Sequence, residues 1–155
     1  MSSASRVTVL GVGNPIMGDD GVGVELLARL EKSLPDERVE YVYGGISGMD
    51  LVPVVQDATR LLVLDAIAGT TPGEVRTVQG DQIPRLLAAK LSPHQVGLLD
   101  LLAAARLLGN EPEEIVVVGV TPECVDISVG LSAPVEAALD EAVRQATAVI
   151  TTWLG

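Results

Sequence analysis

Uninterrupted apolar runs alternate along this chain with stretches whose apolar residues recur at helical spacing, the pattern of buried strands joined by amphipathic helices. Val7 to Leu10 is β-branched or aliphatic throughout and predicts a strand at about 6–11; Val24 to Leu34 carries its apolar residues at helical spacing and predicts a helix at about 20–33. A second strand at 39–43 follows, then a turn at Gly44, Gly45 and Gly48 and a short helix near 49–57. Leu61 to Leu64, closed by Asp65, is the clearest strand of all. Thr70 to Gly73 reads as a turn, and Glu74 to Gln79 is short and nearly alternating, as expected of an edge strand that is free to run antiparallel. Ser92 and Pro93 open a helix that continues from His94 to Leu108 and stops at Gly109 and Asn110. Ile115 to Val120 is another buried strand. The last helix starts at Ser132, Ala133 and Pro134, with Ser as N-cap and Pro in the first turn, and runs toward Trp153.

Strands and helices in this order predict an α/β fold: a three-layer α/β/α sandwich around a mostly parallel, twisted sheet of about five strands. With 155 residues, and neither repeats nor linkers, a single domain spanning 1–155 is expected. Phe is absent, and Tyr and Trp together number three, so the 48% hydrophobic content must build an aliphatic core, which suits parallel strands covered by helices. A net charge of -11 argues against nucleic acid and anionic membrane as partners and lowers the odds of nucleotide phosphates, which only local backbone amides would then hold. Cys124 is the only cysteine, which rules out an intrachain disulfide and a cysteine-based metal cage. The start MSSASRVTVLGVG does not read as a secretory signal, and LLDLLAAARLLG is broken by Asp100 and Arg106 far short of the roughly 20 apolar residues of a membrane span. A cytoplasmic location is expected.

The candidate chemistry begins at the first strand-to-helix corner, GVGNPIMGDDGVGV from Gly11 to Val24. Ligands of open α/β sheets bind outside the carboxyl ends of strands, so this corner is a plausible site. It is not a dinucleotide loop: Gly11 and Gly13 fit the fingerprint, but Ile16 stands where the third glycine belongs and Pro15 removes an amide. Without a lysine it is not a Walker loop either. What it supplies is Asp19 and Asp20. Asp20, Asp65 at the end of the third strand and His94, the only histidine, are placed to meet at one sheet edge. Two carboxylates and an imidazole suit a divalent first-row ion and leave coordination positions open. Each also has a plainer reading. Asp19 and Asp20 have the composition of helix caps, and His94 after Pro93 that of a cap or a solvated side chain. Asp65 has less of an alternative, because a carboxylate after four apolar strand residues is costly to bury without a partner. The glycines of both loops read equally as tight turns.

The segments GVGNPIMGDDGVGV, GGISGMDLV from Gly44 to Val52, LLVLDA from Leu61 to Ala66 and SPHQVGLLDLL from Ser92 to Leu102, in that order, resemble the nickel-iron hydrogenase maturation endopeptidase family. GVTPECVDISVGLSAPVEAAL, Gly119 to Leu139, is similar to that family's lead into its final helix. The resemblance implies cleavage of a short carboxy-terminal extension from the hydrogenase large-subunit precursor after nickel insertion, gating active-site closure and assembly with the small subunit. It implies Asp20, Asp65 and His94 as catalytic and metal-contacting residues, the metal being the precursor's nickel. Two positions depart from the family: many relatives have Glu where Asp20 stands, and an acid where Tyr43 precedes the paired glycines. Asp19 is then a helix-start charge or a support for its neighbour.

Three chemistries fit this resemblance. The trio contacts nickel already held by the precursor's cysteines and so positions the scissile bond; a metal-bound water attacks the carbonyl with carboxylate assistance; or an aspartate activates the water directly, as in an aspartyl protease. The glycine loops would offer backbone to an extended peptide. Cys124 has no nearby histidine in sequence and Ser47 no elbow motif, so neither marks a nucleophile. A non-catalytic metal-sensing chaperone for the precursor and a nucleotide-binding protein remain as alternatives from other classes.

Overall fold

The computed structural model describes residues 7–45, 48–79 and 98–155. Five strands, β1 (Val7–Val12), β2 (Val39–Gly45), β3 (Arg60–Ala66), β4 (Val75–Gln79) and β5 (Glu114–Val120), form one sheet in the order β2-β1-β3-β5-β4. The first four in that order are parallel and β4 runs antiparallel along β5, the edge position its near-alternating sequence suggested. The described helices are α1 (Val22–Ser33), α2 (Val52–Asp57), α3 (Leu98–Leu107) and α4 (Ala133–Leu154). None is long and apolar enough to cross a membrane.

Period-two alternation sorts the strand residues into two cores, one on each face of the sheet. Val7 and Val9, Leu62 and Leu64, and Val116 and Val118 pack with α1 and α4 through Leu26, Leu30, Leu139 and Ile150. Leu10, Leu61, Val63 and Val117 face the other way and pack with Val52, Val55 and Ala105 of α2 and α3. Both faces of the central strands are therefore covered, which is why those strands read as unbroken apolar runs. Leu10, Leu26, Leu61, Leu62 and Leu64 are completely buried, each contributing about 1.5–3 kcal/mol by leaving water.

Element boundaries shift at two places. β2 continues through Gly44 and Gly45, where a turn was expected, because it stays paired with β1 as far as Val12↔Gly45, across a register shift after Gly11. The first helix is preceded by a separate 3-10 turn, Gly18–Gly21, before α1 begins at Val22. The join between this turn and β3 depends on Gly23, where a Cβ would collide with the carbonyl oxygens of Leu64 and Val12. Gly23→Ala is accordingly expected to cost about 2 kcal/mol through a forced shift of α1 away from the strand ends, read as a lower midpoint in urea unfolding.

Candidate functional site

Parallel strands end on the same side of a sheet, so the segments after β1, β3 and β5 share one edge. Asp65 is the next-to-last residue of β3 and pairs with Gly119 of β5. By alternation it lies on the face of Leu61 and Val63, the face covered by α2 and α3. Part of the residue is open to solvent, yet its carboxyl is enclosed by protein. Burial pushes that carboxyl up to about 8, against the opposing pull of the Ala66 N–H, which donates to Oδ1 at 2.7 Å. The negative charge of Asp20 adds to the rise, so the first and third strand ends bring these two carboxylates within electrostatic reach.

Asp20 sits in the 3-10 turn and is 3% exposed. It does not cap the helix. Its Oδ2 accepts the N–H of Asn14 at 2.9 Å, reaching back across the loop. The other amides of that loop are also spent: Gly13 N–H goes to Gly45 O, Ile16 N–H to Asn14 Oδ1, Met17 N–H to Asn14 O, Gly18 N–H to Ser128 O, Asp19 N–H to Cys124 O and Asp20 N–H to Met17 O. Pro15 has none to give. A phosphate cradle needs free amides, so the loop is built to present a carboxylate and not to receive an anion.

Asp19, the adjacent carboxylate, has a task that neither helix-start electrostatics nor the sequence motifs anticipated. It is 1% exposed and accepts the N–H of Glu123 at 2.8 Å, of Cys124 at 3.1 Å and of Ser132 at 2.7 Å, as well as the Ser132 hydroxyl at 2.7 Å. Burial raises its pKa, but the hydrogen bonds from Ser132, Glu123 and Cys124 outweigh that and hold it below the ordinary carboxylate value. The expectation that Ser132 would cap α4 is half right: it occupies the N-cap, but its hydroxyl serves Asp19 and makes no side-chain cap bond. Gly18, with φ +59°, allows the close approach, since a Cβ there would lie 2.8 Å from Cys124 O. The available sequence signal was the acid pair itself: two adjacent carboxylates at one buried corner cannot serve the same function without a cation or donors for each.

His94 lies outside the described residues. The helix after it is described from Leu98 and covers the face that carries Asp65. Its far end is tied to the amino edge of the sheet, where Asn110 Nδ2 donates to Gln56 O and Glu113 N–H to Thr59 O, while α3 also touches the turn at Gly48–Leu51 after β2. The amino end of α3 is therefore directed toward the edge that carries Asp20 and Asp65. Among the described residues no group of three or more His, Cys, Asp or Glu side chains is arranged to hold a metal ion. Asp20 and Asp65 carry the kind of hard carboxylate oxygens that a divalent cation would take. Cys124 is exposed, with its Sγ 3.7 Å from Asp126 Oδ2, and its backbone is committed to Asp19.

Comparison with known proteins gives a consistent picture. Residues 24–149 match the family model described as hydrogenase maturation protease, a span that contains Asp65 and His94 and begins after Asp20. The chain is 38% identical over 149 residues to the hydrogenase 2 maturation protease of Escherichia coli (strain K12), covering 94% of this chain and 90% of that protein. It is 35% identical over 154 residues to the hydrogenase expression/formation protein HupD of Rhizobium leguminosarum bv. viciae, covering 97% and 76%. Among solved structures, the hydrogenase maturating endopeptidase HybD from E. coli superposes with a TM-score of 0.85 at 35% identity, over 95% of this chain and 93% of that one. A nickel-iron hydrogenase maturation protease from Thermococcus kodakarensis gives 0.73 at 25% identity, over 94% and 99%.

Proposed function

Because the chain belongs to the hydrogenase maturation protease family, we propose that it is the endopeptidase that removes the carboxy-terminal extension of a nickel-iron hydrogenase large-subunit precursor once nickel has been inserted. The observation that carries this reading is the approach of Asp20 and Asp65 at the carboxyl edge of the sheet, where the amides of residues 13–20 are already bonded and leave none for a phosphate. The nickel belongs to the substrate. Asp20, Asp65 and His94 would contact it and so fix the adjoining peptide bond at the sheet edge; positioning supplies much of the rate, with a carboxylate taking a proton from the attacking water and returning it to the leaving amine as the C–N bond breaks. Asp20 has a shorter side chain than the Glu common at this position, and would hold the same hard oxygen on a shorter arm. The protein acts in the cytoplasm, where the precursor is assembled.

Incubation with purified precursor tests the reading by the mass of the large subunit. Nickel-loaded precursor should lose its extension and nickel-free precursor should remain intact; His94→Ala should abolish the loss while the circular dichroism spectrum stays that of the parent. An unchanged mass with loaded precursor would reject the peptidase reading in favour of a chaperone. Full activity in His94→Ala would remove that residue from the site.

A further inference from the structure

The loop after β5 and the loop after β1 are joined by more than Asp19. Met17 and Ser128 form a parallel β-bridge in which Gly18 N–H donates to Ser128 O and Ser128 N–H to Ile16 O, both at 2.9 Å. Ile16 precedes one bridged residue, and Ile127 and Val129 flank the other, so the bridge brings these three positions into one stretch of surface. They are 58%, 83% and 90% exposed. Three aliphatic residues are thus exposed beside a hydrogen-bonded framework, Ile16 on the loop of Asp20 and Ile127 and Val129 on the loop after β5, at the sheet edge that carries Asp65. Polar residues would serve this backbone equally well; apolar exposure at three positions around one bridge marks a contact surface.

We propose that Ile16, Ile127 and Val129 form the docking surface for the hydrogenase large-subunit precursor, a folded protein whose facing patch is apolar with basic side chains around it. The inference rests on the function proposed above. Charge selects the occupant. Glu123 and Asp126 are exposed on the same loop and the chain carries a net charge of -11. A second copy meeting this surface about a two-fold axis would set those acids against themselves, and an anionic lipid surface would be repelled. A protein with Lys or Arg around an apolar centre is attracted and oriented instead. Docking at this point places the substrate against the Asp20 loop. The Asp19 clasp keeps platform and site in fixed register, so a substrate seated on one is aligned with the other.

The test uses the full chain and nickel-loaded precursor. In the double variant Ile127→Asp, Val129→Asp, KM for the precursor should rise at least about 10-fold, while kcat at saturation stays within about two-fold and the thermal midpoint is unchanged, since both side chains are solvated. Ile127→Ser, Val129→Ser should show a smaller rise in KM, which separates lost apolar contact from added repulsion. A wild-type KM in the double Asp variant overturns the proposal. So does self-association of the parent, or its binding to anionic vesicles, that the variant loses without any change in KM. Should the parent itself leave the precursor uncut, the function proposed above fails; calorimetric binding of intact precursor to parent and variant then decides the surface, and equal affinities reject it.

Discussion

Asp65→Asn is expected to lower the rate of precursor processing about 10³-fold while leaving the protein folded. The two side chains are nearly the same shape, and the amide oxygen still accepts the Ala66 N–H now received by Oδ1. What is lost is the capacity to carry a negative charge. If Asp65 ligates the metal and steers the water, that charge is the whole contribution of the residue. The fold has no stake in it, because burial already holds the carboxyl up to about 8 and thereby penalises its ionised form. The diagnostic result is therefore a split: single-turnover processing nearly lost, thermal midpoint equal to or above that of the parent. Retention of more than about a tenth of the parental rate would show that Asp65 is a buried strand-end residue without a chemical role.

Asp19→Ala should behave in the opposite sense, unfolding the protein more easily first and losing activity as a result. It would leave three backbone N–H groups, those of Glu123, Cys124 and Ser132, and one hydroxyl without their acceptor. Hydrogen bonds to a charged group are worth about 1.5–3 kcal/mol each, and partial rescue by water reduces the sum, so a loss of about 3–5 kcal/mol is expected. For a chain of this length that lowers the thermal midpoint by on the order of 10 °C. The pH dependence identifies the group. A carboxylate whose folded pKa is depressed stabilises above its unfolded value of 3.8, and that contribution disappears as pH falls through the lower folded value. The stability gap between parent and Asp19→Ala should thus be full at neutral pH and narrow below about pH 4. A gap independent of pH would mean that cavity formation, and not the carboxylate, accounts for the loss.

The order of strands and helices was legible because each strand of the parallel core is buried on both faces and therefore written as an apolar run; Leu61 to Leu64 is the extreme case. Glu74 to Gln79 was equally legible as an edge, since among the described residues it pairs with β5 alone. The corner at Gly11 to Val24 stood out by its glycines and acids. What composition could not do was divide labour between Asp19 and Asp20. They are chemically identical and adjacent, and what separates them is donors 104 to 113 residues further along, at Glu123, Cys124 and Ser132, that meet one and not the other. Ser132 was misread in part for the same reason: a local rule assigned its hydroxyl to its own helix, and a distant carboxylate took it. His94, singled out as the only histidine, lies outside the described residues, and α3, described from Leu98, is directed toward the edge that carries Asp20 and Asp65.

The Asp19 clasp also sets a timetable. A ribosome delivers the Asp20 loop early and Ser132 late, and the acceptor of the first cannot be satisfied until the second has emerged and α4 has begun to fold onto the sheet. Until then the nascent chain carries an acidic corner that is open and unaligned. The alignment of the Asp20 loop therefore waits on residues 123–132 of the same chain, and a copy lacking them is expected to leave that corner unaligned.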